Sequence, residues 1–316
     1  MNAADDLNPE DFAEAAGAAI SDAQGKADVA AVLAEAGLFS VSVPEHAGGM
    51  GLALDYSIPV ARVAGEKQLR FPLVEQILLA RAFAGYEIGA ALMSGATIGT
   101  IAWQGALDLG FASHATFAGQ ASVMLVADGD GAALVDLSSV TLTLEDPLDP
   151  EFPQGEALLD GATVTARLDA AAWSALKAEA RILLTAYVIG AAQGALNRTA
   201  TYMGTRVQFG RPLSAKQAVR HHLAQMKLLT DVSAAALRRA TLPDEFGQSR
   251  GADSAFVGAV ANATFVVEKA IQLHGGIGFT WELPLHRSLR DVKRIALAMQ
   301  AGAAAQALGA ACIDAA

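Results

Sequence analysis

The hydrophobic pattern changes period twice along the chain, and this constrains the fold more than any other feature of the sequence. Residues 1–98 have mainly helical spacing, with a predicted helix end at Gly37. Residues 99–168 contain short apolar runs that alternate with polar positions, and residues 169–316 return to helical spacing. We therefore predict an α+β, mainly α, fold with an N-terminal helical domain, a small middle β domain and a C-terminal domain like a four-helix bundle.

The middle domain carries a clear hairpin signal. The sequence Asp-Gly-Asp-Gly at residues 128–131 separates two apolar runs, which is typical of two antiparallel strands joined by a tight turn. Two further strands are predicted near residues 140–144 and 162–166, and Pro147 and Pro150 indicate the loop between them. About four short strands are thus expected in this domain.

The C-terminal domain is predicted to begin with a long apolar helix capped by Asp169. Two more helices are predicted at residues 215–239 and 253–272, and a last apolar helix near Arg290.

Composition excludes several classes of protein. With 22 Lys and Arg against 33 Asp and Glu, the net charge of −11 argues against a nucleic-acid binder. Cys312 is the only cysteine, and His221 and His222 have no further ligand at metal spacing, so neither disulfides nor a metal site is expected. The apolar stretch at residues 182–196 is too short to span a membrane, and the acidic residues after Met1 do not form a signal peptide. We expect a cytoplasmic protein without membrane insertion.

Two segments contain residues suited to a dinucleotide. In the first, Arg206 offers a planar, permanently charged fork for a pyrophosphate, and Phe209 offers a face for stacking. Gln208 and Gln217 offer neutral hydrogen bonds to an adenosine, and Leu213 lies between them.

The second segment is a glycine-rich turn that follows a predicted helix. Gln272 precedes Gly275, Gly276 and Gly278, whose backbone can approach a phosphate or a neighbouring chain closely. An ordinary turn between helices is the alternative interpretation of these glycines. His274 is expected on a partly exposed face.

Two patterns in these segments together resemble the C-terminal domain of acyl-CoA dehydrogenases. The first is Arg-x-x-Phe-Gly with a Gln seven residues later, and the second is Gln-x-x-Gly-Gly with a later Arg-Asp. The turn at residues 43–52 resembles the family's N-terminal domain, so the resemblance covers essentially the whole chain. It implies an FAD that lies across a subunit interface and is held mainly by another subunit. The residues it assigns to the ADP half of that FAD are Arg206, Gln208, Phe209, Leu213, Gln217, Gln272, Gly275 and Gly276.

The catalytic base of this family is missing. Family members oxidise the Cα–Cβ bond of an acyl-CoA, and a Glu removes the proton from Cα. Most of them carry that Glu nine residues after the Arg of the Arg-Asp pair, where this chain has Met299. A second family location corresponds to Ala180, and the neighbouring Glu179 is predicted on a solvated helix face beside Lys177 and Arg181.

The middle domain also lacks the family's Ala-x-Thr-Glu-Pro-like and Trp-Ile-Thr-Asn-like segments. These departures resemble the short subunit of heteromeric acyl-CoA dehydrogenases from bacterial steroid catabolism. They imply an α2β2 assembly in which a longer partner carries the base, a bulky steroid side-chain acyl-CoA as substrate, and an electron-transfer flavoprotein as acceptor. Two alternatives stay open: a self-sufficient homomeric enzyme with Glu179 as base, and a non-catalytic scaffold of the same fold.

Overall fold

The computed structural model describes residues 8–144, 154–242 and 251–314. The chain divides into two compact units. The first unit comprises Met1–Val60 and Leu69–Ala180, and the second comprises Ala61–Gln68 and Arg181–Ala316. The predicted limits of three sequence domains stay a prediction.

In residues 8–98, five α-helices precede the sheet. They are α1 (Asp11–Ala23), α2 (Val29–Glu35), α3 (Ser57–Lys67), α4 (Leu73–Ala82) and α5 (Glu87–Met93). Local sequence signals explain the ends of α2, because the Asp28 carboxylate accepts a hydrogen bond from the Ala31 N–H at 2.9 Å. Gly37 has a φ of 73°, which glycine adopts without strain, and confirms the predicted helix end.

A seven-stranded sheet follows in the same unit. Its strands are β1 (Gly99–Ala106), β2 (Phe111–Thr116), β3 (Val123–Asp128), β4 (Gly131–Asp136), β5 (Thr141–Leu144), β6 (Gln154–Leu158) and β7 (Val164–Leu168). Their order in the sheet is β5-β6-β2-β1-β3-β4-β7, and β1 pairs with β3 in parallel while the other neighbours are antiparallel.

The hairpin predicted at residues 128–131 is confirmed, since β3 and β4 pair from Val123–Asp136 to Asp128–Gly131. The prediction of about four strands is wrong, because the described residues contain seven in this sheet. Strands β1, β2 and β6 are rich in Ala, Gly, Gln and Ser, which have weak strand signals. The loop predicted at Pro147 and Pro150 lies outside the described residues.

One buried amide joins the helices of the first unit to the sheet. The Gln76 side chain is fully buried and donates to the carbonyl oxygens of Leu92 at 2.7 Å and Thr97 at 2.9 Å. Its own oxygen accepts the Gly99 N–H at 2.8 Å, where β1 begins. Since its amide is bonded through both nitrogen and oxygen, this burial carries little penalty and fixes α4 against the start of the sheet.

Among the described residues, five further α-helices follow the sheet. They are α6 (Ala170–Thr205), α7 (Gln217–Thr241), α8 (Ala252–His274), α9 (Leu285–Ala298) and α10 (Ala301–Asp314). The predicted cap of α6 is confirmed, because Asp169 accepts the Ala172 N–H at 2.8 Å. The helix predicted to begin near Arg290 begins at Leu285 instead, directly after Pro284. The chain then breaks at Met299 and Gln300, where Gln300 has a φ of 52°, before α10.

Three glycines allow α3 and α6 to touch backbone to backbone in the second unit. A Cβ at Gly65 would collide with the Tyr187 carbonyl oxygen, and a Cβ at Gly190 would collide with that of Arg62. Gly194 faces the backbone of Glu66 in the same way. Only glycine therefore permits this helix spacing.

One helical stretch, Ala252–Phe279, is long and apolar enough to cross a membrane by length and composition, and the bent pair of α9 and α10 passes the same test jointly. Neither stretch was predicted from the sequence, where residues 182–196 were the longest apolar run recognised. About 44% of the apolar window in Ala252–Phe279 is buried, and α8 packs against α7, α9 and α10. Length and composition alone do not assign a membrane span to this stretch, because core helices pass the same test.

The glycine contact can be tested by substitution. We expect Gly190→Ala to lower the free energy of unfolding by about 2–3 kcal/mol or more, because the new methyl group forces the helices apart. Gly204→Ala is the matched control, since no atom lies within 4 Å of its Cβ position in the same helix. The control should be neutral or stabilise by about 0.5–1 kcal/mol. Urea unfolding followed by circular dichroism measures both, and equal effects would contradict the proposed close contact.

Candidate functional site

The first predicted segment forms a small hairpin after α6. Strand β8 (Val207–Gln208) pairs with β9 (Arg211–Pro212), and the Leu213 N–H donates to the Arg206 carbonyl at 2.9 Å. Phe209 and Gly210 form the turn, with φ values of 54° and 75°, as a two-residue hairpin loop requires. The Phe209 ring is 88% exposed at the tip of this hairpin.

Positive charge surrounds the hairpin. Residues 206–222 contain three arginines, one lysine and no carboxylate, in a chain with a net charge of −11. These four cations are Arg206, Arg211, Lys216 and Arg220. The Lys216 ammonium lies 4.2 Å from the Phe209 ring centroid, a cation–π contact that orients the exposed ring. The segment is suited to an anion that also carries an aromatic group.

The second predicted segment follows α8 as a 3₁₀ turn, Gly275–Phe279. Gly275 has a φ of 66°, and no atom of the chain lies within 4 Å of the Cβ position of Gly275 or Gly276. A Cβ at Gly278, by contrast, would press against the Ile271 carbonyl oxygen. Packing therefore explains Gly278, whereas the backbone at Gly276 faces open space into which another molecule can come close.

Gln272 lies exposed in the last turn of α8, where its oxygen accepts a hydrogen bond from Lys269 at 2.5 Å. A shallow, almost entirely apolar recess adjoins it. The recess is lined by Glu268, Ile271, Gln272, Phe279 and Leu289.

The two segments meet through a ring stack that sequence reasoning missed. Tyr202, four residues before Arg206, stacks on His274 with ring centroids 4.5 Å apart and an interplanar angle of 20°. The expectation of a partly exposed His274 is wrong: the residue is 6% exposed, and its Nδ1 lies 2.8 Å from the Ala270 carbonyl. The one sequence signal that could have drawn attention to Tyr202 is its position one helical turn before Arg206.

Glu179 is not on a solvated face, which corrects the sequence prediction. Both of its carboxylate oxygens accept from Arg81 Nε, at 3.1 and 3.2 Å, and Arg81 also donates to the Ser42 carbonyl at 2.6 Å. The Glu179 side chain is 24% exposed. Ala180, the residue at the family's second base location, is fully buried. This carboxylate is thus paired with an arginine, and Arg81 is a contact that the sequence did not reveal.

Met299 ends α9 and is 7% exposed. Its carbonyl accepts a hydrogen bond from Arg181 at 2.7 Å, and Arg181 also pairs with Asp253 at 3.0 Å. Asp291, of the Arg-Asp pair, is buried and accepts from Arg294 at 3.2 Å. A thioether cannot take up a proton, so Met299 offers no base at this position.

Among the residues that the structure describes, no group of three His, Cys, Asp or Glu could hold a metal ion.

Comparison with known proteins identifies the family of this chain. Residues 170–299 match the model of the acyl-CoA dehydrogenase C-terminal domain. The acyl-CoA dehydrogenase IpdE2 of Mycolicibacterium smegmatis is 30% identical over 78% of this chain and 75% of the relative. The chain belongs to the acyl-CoA dehydrogenase family. The predicted family is confirmed.

Two other relatives match this chain over less than half of their own length. FadE34 of Mycobacterium tuberculosis is 31% identical over 84% of the chain but only 40% of its own length. Acryloyl-CoA reductase (NADH) of Anaerotignum propionicum is 35% identical over 36% of the chain and 29% of its own length. For these two, the chain spans less than half of the relative.

Solved structures confirm the predicted fold class. The Tcur3481-Tcur3483 steroid acyl-CoA dehydrogenase, in a G363A variant, has a TM-score of 0.83 at 25% identity and covers 97% of this chain and 98% of its own. The ChsE4-ChsE5 complex of Mycobacterium tuberculosis has a TM-score of 0.78 at 23% identity, over 95% and 96%. A glutaryl-CoA dehydrogenase of Mycobacterium smegmatis in complex with FADH2 has a TM-score of 0.76 at 18% identity, over 92% and 90%.

The burial of His274 predicts a pH dependence of stability. Desolvation lowers its pKa below the ordinary value, partly offset by the hydrogen bond to Ala270. The unfolded chain then binds a proton more readily than the folded one, so stability should fall as the pH drops below about 6.5 towards the folded-state pKa. We expect His274→Phe, which keeps an aromatic ring, to lose this component. Melting temperatures between pH 7.5 and 5.5 measure it, and parallel curves for both proteins would contradict the assignment.

Proposed function

We propose that this chain is the short subunit of a heteromeric, FAD-dependent acyl-CoA dehydrogenase, and that it carries no catalytic base of its own. One observation carries this proposal: neither family base position offers a usable carboxylate. Met299 stands at the first position, and the carboxylate next to the second, Glu179, is held by the Arg81 guanidinium. The longer partner would supply the base.

The reaction sets the requirements that this chain leaves unmet. Oxidation of the Cα–Cβ bond needs a carboxylate within hydrogen-bond reach of Cα to take its proton. FAD, when bound, supplies the group that accepts the hydride from Cβ. The side chains of this chain would bind and orient the cofactor. Glu179 would have to leave its ion pair with Arg81, whose Nε–H is shared by both carboxylate oxygens, before it could accept a proton.

FAD is the cofactor expected from the sequence, and this expectation is confirmed at the level of the family. The residues present fit its ADP half. The Arg206 side chain and the Phe209 ring are exposed and lie in a carboxylate-free segment, which suits a pyrophosphate and an adenine. The open space over Gly276 allows a close approach of the cofactor to the backbone. In this proposal the isoalloxazine half is held mainly by another subunit.

A partner subunit is supported by surface composition. Helix α10 is built mainly of alanine, and among its described residues Ala301 is the buried one. Leu228 and Val232 on α7 are 60% and 50% exposed. Such apolar helix faces are typical of subunits that are buried in an assembly. We propose an α2β2 heterotetramer, like the two-component complex named in the ChsE4-ChsE5 structure.

The name of one structural relative supports a proposal for the substrate class. The neighbour with the highest fold similarity reported above is named a steroid acyl-CoA dehydrogenase, and it shares 25% of its residues with this chain. We therefore propose an acyl-CoA with a bulky, steroid-derived side chain as substrate and an electron-transfer flavoprotein as acceptor, in the cytoplasm.

Purification distinguishes this proposal from its alternatives. A colourless chain that gains flavin and activity with a co-expressed longer homologue supports the heteromer. A yellow chain that is active alone supports a homomeric enzyme with Glu179 as base, and a chain that holds no flavin with any partner supports a scaffold.

Arg206 should contribute strongly to flavin retention. We expect Arg206→Ala to weaken FAD binding in the assembled complex by about 1.5–3 kcal/mol, because a charge-assisted contact to the pyrophosphate is lost. Arg239→Ala is the control, since it removes the same charge from an exposed position at the end of α7. Flavin affinity is measured by fluorescence titration of the apo complex. Equal affinities for the two variants would remove Arg206 from the site.

Glu179→Gln separates the heteromeric from the homomeric enzyme. We expect turnover of the assembled enzyme to stay within about threefold, because the amide still accepts a hydrogen bond from Arg81 and no base is lost. Replacement of the longer partner's catalytic Glu should instead abolish activity, since loss of a general base costs about 10²–10⁴-fold. A hundredfold decrease in Glu179→Gln with flavin still bound would assign the base to this chain.

A further inference from the structure

We propose that Tyr202 and His274 form a positioning pair that holds the two flavin-binding segments in register with each other. This inference rests on the proposed FAD site. Neither residue is assigned to the cofactor itself. Their role is to fix the arginine hairpin relative to the glycine turn, so that both can contact one ligand at the same time.

Tyr202 connects the stack to the hairpin. It lies in the last turn of α6, and its carbonyl accepts the Arg206 N–H at 2.8 Å. The backbone of Arg206 is thus one hydrogen bond away from the residue whose ring packs on His274. Beyond this point the hairpin is exposed, including the tip at Phe209 and the side chain of Gln208. The anchored start of the hairpin therefore fixes the backbone from which the Arg206 side chain extends.

His274 connects the stack to the glycine turn. Its ring is fixed on one side by the Nδ1–Ala270 hydrogen bond of 2.8 Å and on its face by Tyr202, 4.5 Å away. The next residue, Gly275, has a φ of 66°, and the backbone of Gly276 follows directly. A change in the position of the His274 ring is transmitted to this turn through two peptide bonds.

The relative position of the hairpin and the glycine turn matters because the contacts that both would make with a phosphate are short. Hydrogen bonds from an arginine fork or a backbone amide to a phosphate need heavy-atom distances of about 2.7–3.2 Å, and they weaken steeply when the N–H···O angle falls below about 120°. A binding constellation that is held about 1 Å too loosely loses much of its affinity although every ligand-contacting group is present. Loss of the stack should therefore weaken FAD binding without removing any group that contacts FAD.

The experiment uses the assembled complex and a pair of substitutions at one position. Tyr202→Leu removes the ring plane, whereas Tyr202→Phe keeps it. We expect Tyr202→Leu to raise the Kd for FAD at least tenfold in fluorescence titrations of the apo complex, and Tyr202→Phe to stay within twofold. The melting temperature of each apo complex is measured alongside. A lower melting temperature of Tyr202→Leu with an unchanged Kd would show a purely structural role and overturn the proposal.

Substitutions at His274 complete the test. His274→Leu should raise the Kd as Tyr202→Leu does, and His274→Phe should restore it because it can stack on Tyr202. If the two residues act as a pair, Tyr202→Leu with His274→Leu should be no weaker in FAD binding than either single variant. Fully additive losses would contradict the pairing.

The wild-type complex separates failure of this inference from failure of the proposed function. A wild-type complex that binds no FAD contradicts the proposed function, and the positioning role with it. A wild-type complex that binds FAD with the same Kd as Tyr202→Leu contradicts the positioning role alone.

Discussion

The contact of α3 with α6 through Gly65, Gly190 and Gly194 is the constraint on which the second unit depends. Because no Cβ fits between the two backbones, α6 can lie at this spacing only where glycine occurs on both helices. The end of α3 is then fixed by Gln68, which donates to the Pro284 carbonyl at 2.7 Å and to the Ser288 hydroxyl at 2.6 Å. Through these contacts α3 places α6 and α9, and α6 in turn carries the hairpin at Arg206.

Local signals predicted the elements whose ends depend on near neighbours in sequence. The cap at Asp169, the helix end at Gly37 and the turn at residues 128–131 each follow from the chemistry of one or two residues. Strands β1, β2 and β6 could not be predicted in this way. Their composition is weak for strands, and partners elsewhere in the sheet hold them in place.

The same distinction applies to the candidate site. The residue types of the Arg206 hairpin and of the glycine turn were readable, because an arginine fork, an exposed ring and glycines have a chemistry of their own. The contacts that decide their behaviour join distant parts of the chain: Arg81 meets Glu179 across 98 positions. The sequence therefore indicated which groups were present, and the structure showed which of them are already engaged.

The basic segment at residues 206–222 has a consequence for how ligands arrive. The chain as a whole is acidic, so its long-range field repels polyanions such as dinucleotides and acyl-CoA thioesters over most of its surface. The segment itself carries four cations and no carboxylate, and so has the opposite charge to the chain as a whole. An approaching anion is turned towards that segment before any hydrogen bond forms. This guidance acts over about 8–10 Å at physiological ionic strength and shortens as salt rises, so encounter rates should depend on salt even where the bound state does not.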